Sequence, residues 1–322
     1  MDAPDSTLST FTAADGDNLA VQAWPTPRGV VRRGVVVIVH GLGEHAGRYD
    51  ALARRLTAWG FAVQGYDQVG HGESGGARGR LPSSLRLIQD LGDIIDSARR
   101  RMRPHERLIL LGHGMGAVVA GCLLMLRDVR VDALVLSAPA FRPVFSRWQR
   151  LVLPALLWCA PDLRLGNGVA PEALARDPDV VDAYRADPLV HDRTTARLAA
   201  FLAMSGPRVL ARAPHWRWPT LVLWGGRDCI VDPAAVRAFA DTAPRPLVTA
   251  HCFDDMFHEV FHDIDPEPAF EALQAWLDGR FPVRPPQPDG AAAGAPPARP
   301  EAQRRRPPEP AIPSSAAASP AS

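Results

Sequence analysis

The sequence predicts an α/β fold: an eight-stranded, mostly parallel sheet flanked by helices and broken by one helical insertion. Three observations predict it. Runs such as Val35-Val36-Val37-Ile38-Val39 have the β-branched, uninterrupted apolar make-up of strands buried on both faces of a parallel sheet. Such runs alternate with stretches of helical periodicity, the order that right-handed crossover units require. Between Ser137 and about Ala213 the alternation stops and helical patterns take over.

In chain order, residues 9–24 alternate polar and apolar around Asp15-Gly16-Asp17-Asn18, an opening β-hairpin. Val35–Val39 is the first buried strand. Tyr49, Leu52, Leu56 and Trp59 recur at helical spacing and stop at Gly60. Phe61–Tyr66 is a further strand, Leu85–Ala98 an amphipathic helix, and Leu108–Leu111 a strand entering a glycine-rich turn. Val131–Leu136, Thr220–Trp224 and Leu247–Phe253 complete the set. Inside the insertion, Trp148, Leu151, Val152, Leu156, Leu157 and Trp158 form an apolar stripe. An insertion that follows a strand is expected to cap the strand ends, where such sheets bind ligands; the alternative is an extra packed helical layer. The expected division is core over 1–138, helical cap over 139–213 and core again over 214–282. A Pro/Ala/Arg-rich tail over 283–322 is expected to be disordered, because it cannot bury enough apolar area to offset its ordering entropy.

A net charge of +1 points to no nucleic-acid partner. Cys122, Cys159, Cys229 and Cys252 are widely spaced, so reduced and mostly packed thiols are expected, with neither a disulfide framework nor a metal knuckle. Met1-Asp2-Ala3-Pro4-Asp5 carries no basic segment leading into an apolar run, and no stretch is long enough to span a bilayer. A cytoplasmic location is the expectation.

Four features fall at the ends of predicted strands. His40-Gly41-Leu42-Gly43 would aim the Leu42 N–H at a developing oxyanion. Gly112-His113-Gly114-Met115-Gly116 has the form of a nucleophile elbow, with the Met115 N–H at a helix N-terminus as second donor. Gly114 occupies the nucleophile position and has no side chain. Asp228 follows one strand and His258 another, so elbow, acid and histidine come in hydrolase order. Asp232 competes with Asp228 as the acid. His40 and His113 read as structural; His45 and Arg48 read either as head-group contacts or as loop supports. Trp148 and Trp158 read as cap core or as acyl-chain lining. A separate reading comes from His258-Glu259-Val260-Phe261-His262, which fits H-E-x-x-H and would place His258 and His262 on one helical face for zinc. Pro266 and Pro268 interrupt any such helix soon after.

These stretches resemble the monoacylglycerol lipase and lysophospholipase group of α/β-hydrolases over roughly residues 9–280. The similarity lies in His40-Gly41-Leu42-Gly43-Glu44-His45 with Arg48-Tyr49, in Asp67-Gln68-Val69-Gly70-His71-Gly72-Glu73-Ser74, in Leu136-Ser137-Ala138-Pro139-Ala140 and in Asp187-Pro188-Leu189-Val190. It implies an α/β-hydrolase fold, carboxylic-ester hydrolysis of a monoacyl lipid under a helical cap, contact with a membrane or micelle surface, and no cofactor. The family carries Ser where this chain has Gly114. Ser74 recurs in active relatives of this kind and so reads as structural, and Cys122 lies too far along its helix to replace a hydroxyl. The expectation is an acyl-lipid or amphiphile binder with impaired catalysis. The alternatives are an ester hydrolase working through His258-activated water or another nucleophile, and more remotely a zinc hydrolase.

Overall fold

The computed structural model describes residues 5–283; the expected tail disorder concerns residues that, from 284 onward, lie outside them. Its main sheet contains β1 (Thr7–Thr12), β2 (Asn18–Trp24), β3 (Gly34–Val39), β4 (Phe61–Tyr66), β5 (Arg107–His113), β6 (Ala133–Ser137), β9 (Thr220–Gly225) and β10 (Val248–Phe253). The strand order is β1-β2-β4-β3-β5-β6-β9-β10. Pairing is antiparallel at β1–β2 and β2–β4 and parallel from β4 through β10. All four ligand-type loops read from the sequence therefore leave the same edge of the sheet.

Strand β3 shows why an unbroken apolar run is needed. Val35, Val37 and Val39 point into one core layer, while Val36 and Ile38 point into the other. The first layer is closed by α2 (Arg86–Arg101), α3 (Met115–Leu126) and α7 (Pro233–Thr242). The second is closed by α1 (Asp50–Ala58) and α8 (Glu267–Arg280). No helix among the described residues is long and apolar enough to cross a membrane.

The insertion runs between β6 and β9, which are neighbours in the sheet. It holds α4 (Arg147–Cys159), α5 (Pro178–Ala186) and α6 (Ala196–Ala211), and also a short antiparallel pair, β7 (Arg164–Gly166) with β8 (Arg193–Thr195). That pair was not expected: three-residue strands are too short to leave a readable alternation. Helix α6 buries Leu198, Phe201, Leu202 and Val209 against the core. Helix α4 buries nothing, and Trp148 and Trp158 are 69% and 89% exposed. The apolar stripe is therefore not cap core. Trp148, Leu151 and Trp158 are turned outward while Val152 and Leu156 are half-buried, and periodicity alone carries no information about what a face meets.

The cysteine expectation also needs correction. All four are free, but only Cys122 is buried; Cys159 and Cys229 are exposed and Cys252 is partly so. Each of the latter three sits at a helix end, in a loop or on the outermost strand, where a small residue need not be covered.

The insertion is tied to the core by a stack of three histidines. The His40 and His71 rings lie 5.2 Å apart and those of His71 and His191 4.8 Å. The His191 N–H donates to Gly43 O at 2.9 Å, and its Nε2 lies 3.1 Å from Gly70 O. Burial, ahead of neighbouring charge, lowers the pKa of all three, His191 to about 4. A group lowered in the folded state takes up protons later than in the unfolded chain, so stability falls as pH drops below about 6.5. The melting temperature is expected to decline from pH 6.5 toward 4, with a shallower decline in His191→Gln. Thermal melts across that range check it, and equal slopes for the two proteins would contradict it.

Candidate active site

Gly114 sits at the apex between β5 and α3 with φ +51° and ψ −111°, a conformation L side chains rarely adopt. Its N–H donates to Ser137 O at 3.0 Å and its carbonyl accepts from Ala140 N at 3.1 Å, so β6 and the following loop hold the turn. Gly116 lies directly against the Val39 carbonyl, where any Cβ would overlap, and this lets α3 pack close to β3. Met115 is the first residue of α3, so its N–H has no acceptor within the helix. Met115 and Leu42 both line the same cavity as Gly114.

A Cβ built on Gly114 would stand 3.3 Å from His258 Nε2 and 3.9 Å from Gly41 Cα, with nothing nearer. The nucleophile position is thus aimed at the imidazole and empty of functional atoms. On the far side of the ring, Nδ1 lies 2.6 Å from Asp228 Oδ2. The other Asp228 oxygen accepts from the N–H groups of Ile230 and Val231 at 2.8 and 3.0 Å, which fixes the carboxylate. His258 is only 6% exposed. Burial opposes its imidazolium, but the Asp228 charge and hydrogen bond prevail and the pKa lies above the usual value. Nε2 has no hydrogen-bond partner among the described residues. Asp232, the competing acid, instead caps α7 by accepting from Ala234 N, away from the imidazole.

His113 packs edge-on against His258 at 4.6 Å between centroids, and its Nδ1 lies 3.1 Å from Ser137 Oγ. Burial first, and the neighbouring His258 second, lower its pKa to about 4, so it is neutral at neutral pH. His40 Nε2 accepts from Gln68 N at 2.9 Å, bracing the loop after β4. His45 Nε2 lies 2.8 Å from Asp187 Oδ2 and does not line the cavity.

Arg48 does line it, within a buried cluster. The guanidinium donates to Glu44 Oε2 at 2.8 Å and to both Glu259 oxygens at 2.6 and 2.8 Å, and it stacks 4.7 Å over the Tyr184 ring. Tyr49 Oη donates to Glu44 Oε1 at 2.7 Å, and His262 Nδ1 lies 2.9 Å from Glu259 Oε2. For both carboxylates burial is the largest influence and opposes ionisation, but Arg48 together with neighbouring histidines outweighs it and their pKa values are lowered, that of Glu259 well below the usual range. This arrangement removes the zinc reading. Residues 258–262 are not helical, Glu259 is bound to Arg48, and His262 is held at both nitrogens, with Nε2 3.1 Å from Arg48 O. No group of three potential ligands that could hold a metal occurs among the described residues.

Among the described residues, neither of the nucleophiles weighed from the sequence comes to Gly114. Ser74 Oγ donates to Asp67 O and accepts from Ala20 N, tying its loop to β2. Cys122 is buried in α3, and burial pushes its thiol up to about 11. The cavity has a volume of about 90 Å³, room for more than one water. Val144, Phe145, Val169, Leu174 and Leu202 from the insertion give it apolar lining, and the hydrogen-bonded Glu44, Arg48 and Glu259 with Tyr184 give it polar lining. Trp148 and Trp158 do not line it. Tyr184 was not singled out from the sequence; Glu44 entered only within the stretch that carries the resemblance and Glu259 only as the glutamate of the H-E-x-x-H pattern, so Arg48 as their shared partner was missed.

The family model of serine aminopeptidase, S33, matches residues 31–265. The chain belongs to this family. Its fold is the α/β-hydrolase fold, and its relatives are monoacylglycerol lipases among others. A monoacylglycerol lipase of Mycolicibacterium smegmatis is 32% identical over 275 residues, covering 83% of this chain and 95% of that one. The crystal structure of Paleococcus ferrophilus monoacylglycerol lipase superimposes with a TM-score of 0.74 at 32% identity, covering 81% and 99%. An abhydrolase domain-containing protein of Dictyostelium discoideum is 29% identical over 284 residues, 86% of this chain but only 29% of that longer protein.

Proposed function

We propose that this protein binds a monoacyl lipid or similar amphiphile in the cavity at Gly114 and does not turn it over by the serine route of its family. The observation that carries this is the absence of any attacking atom at the elbow apex, 3.3 Å from an otherwise well-placed imidazole. Losing the serine of a working triad costs on the order of 10⁶-fold in kcat. A lining that holds both apolar and polar side chains supports a ligand with a chain and a polar head. The outward stripe of Trp148, Leu151 and Trp158 supports transient contact with a lipid surface as the route of delivery. The four free thiols support a cytoplasmic location.

The free Nε2 of His258 favours one second reading, activation of a water for ester hydrolysis. Assay of a monoacylglycerol and a short p-nitrophenyl ester, with His258→Ala as control, separates the two. No His258-dependent turnover is expected. Robust turnover lost in His258→Ala would replace the binding reading with the hydrolytic one.

A further inference from the structure

We propose that the ligand's head is a free carboxylate, so that the cavity holds a fatty acid in preference to its ester. One carboxylate oxygen meets the Leu42 and Met115 N–H groups. The other occupies the place a serine Oγ would take, beside His258 Nε2. This rests on the acyl-lipid reading above and narrows it to a chemical class.

Three features of the cavity point this way. His258 is more than nine-tenths buried, its Nε2 is unpartnered, and it lines the cavity next to the Gly114 position. Glycine leaves room there for a ligand oxygen, where a serine side chain would fill the space. The N–H groups at the start of α3 and in the Gly41–Leu42 loop favour full negative charge over the partial charge of a resting ester carbonyl. A carboxylate therefore presents two acceptors to donors on both sides, whereas an ester's second oxygen is a poor acceptor with a substituent in the way.

Charge is the main objection. The groups facing His258 are Asp228 on the loop after β9, His113 at the end of β5, Glu44 on the loop after β3, and the adjoining Glu259. Asp228 is engaged by His258 Nδ1, both glutamates are held by Arg48, and His113 is neutral. Each of these carboxylates is hydrogen-bonded, and the one net negative charge left where Glu44 and Glu259 share Arg48 is delocalised over that buried network. With Nδ1–H committed to Asp228, Nε2 donates only when the ring is protonated; the neutral ring would offer a lone pair to the carboxylate. Binding the acid therefore takes up one proton, and above the His258 pKa affinity falls by up to tenfold per pH unit. Binding the ester involves no such proton.

Titration calorimetry with dodecanoate and with monododecanoylglycerol, at pH 6 and pH 8, tests this. Dodecanoate is expected to bind up to a hundredfold tighter at pH 6 than at pH 8, with uptake of a proton at pH 8 seen from buffers of different ionisation enthalpy. The ester is expected to bind more weakly at pH 6 and equally at both values. His258→Gln should remove the pH dependence, and Gly114→Ser should weaken the acid more than the ester. Equal or tighter binding of the ester at pH 6, or pH-independent binding of the acid, overturns the carboxylate proposal and leaves the acyl-lipid reading standing. If neither ligand binds, both fall.

Discussion

Gly114→Ser is expected to hydrolyse a monoacylglycerol that the parent leaves intact, and to melt at a lower temperature than the parent. Both effects come from the same dihedral angles. The neighbouring parts are near: a His258 Nε2 beside the Gly114 position, an imidazole anchored 2.6 Å from Asp228, and Leu42 and Met115 lining the same cavity. A Cβ at 114 fits with its closest neighbour at 3.3 Å, so only a few tenths of an ångström of ring movement is needed. The gain in kcat has a ceiling on the order of 10⁶-fold, the cost of removing such a serine. The stability loss comes from φ +51°, which glycine tolerates and serine reaches at a cost of about 1–3 kcal/mol, or a Tm lower by a few degrees. A combined Gly114→Ser, His258→Ala variant should lose the gained turnover and keep the stability loss. A serine variant that melts no lower than the parent and gains no activity would contradict the elbow geometry.

Arg48→Ala is expected to be the most destabilising single change in the site. It leaves Glu44 and Glu259 buried beside each other without their shared cation, and breaking a buried pair in this way costs about 3–5 kcal/mol. The sign of the pH dependence distinguishes this from simple loss of packing. In the parent both carboxylates are held low, so their contribution is present above about pH 4.5 and is lost as pH falls toward their folded values. Without Arg48, burial dominates and raises them, so the variant loses stability as pH rises. The gap in Tm between the two proteins should therefore be widest near pH 7 and narrow toward pH 5. Arg48→Lys should recover part of it, since an ammonium supplies the charge but not the fork that spans both glutamates. A gap independent of pH would mean that Arg48 acts through packing alone.

The sheet and the order of the site residues were legible because they depend on local signals. The run Val35–Val39 states its own two-sided burial, and glycines at 112, 114 and 116 mark a turn that only small residues permit. The Asp228 and His258 positions followed from their places after strands. What was not legible depends on distant partners. Glu259 meets Arg48 across 211 positions, and no periodicity records that. Trp148 and Trp158 fall on one helical face, yet whether that face meets core, ligand or solvent is set by how α4 lies beside α6. The H-E-x-x-H match was formally correct as a pattern and wrong as a site, because the residues that decide it, Arg48 and Asp228, lie elsewhere in the chain.

The carboxylate of Asp228 serves its own loop as well as the imidazole, through the N–H groups of Ile230 and Val231. An acid that holds a turn together is retained by selection for folding even after the reaction it once assisted has gone, and it keeps the histidine oriented while it remains. Survival of the Asp–His pair in a lineage is then no record of continuing chemistry. The residue at the elbow apex, Gly114, has no side chain for such a second role in holding a loop, and it differs from a serine by one substitution.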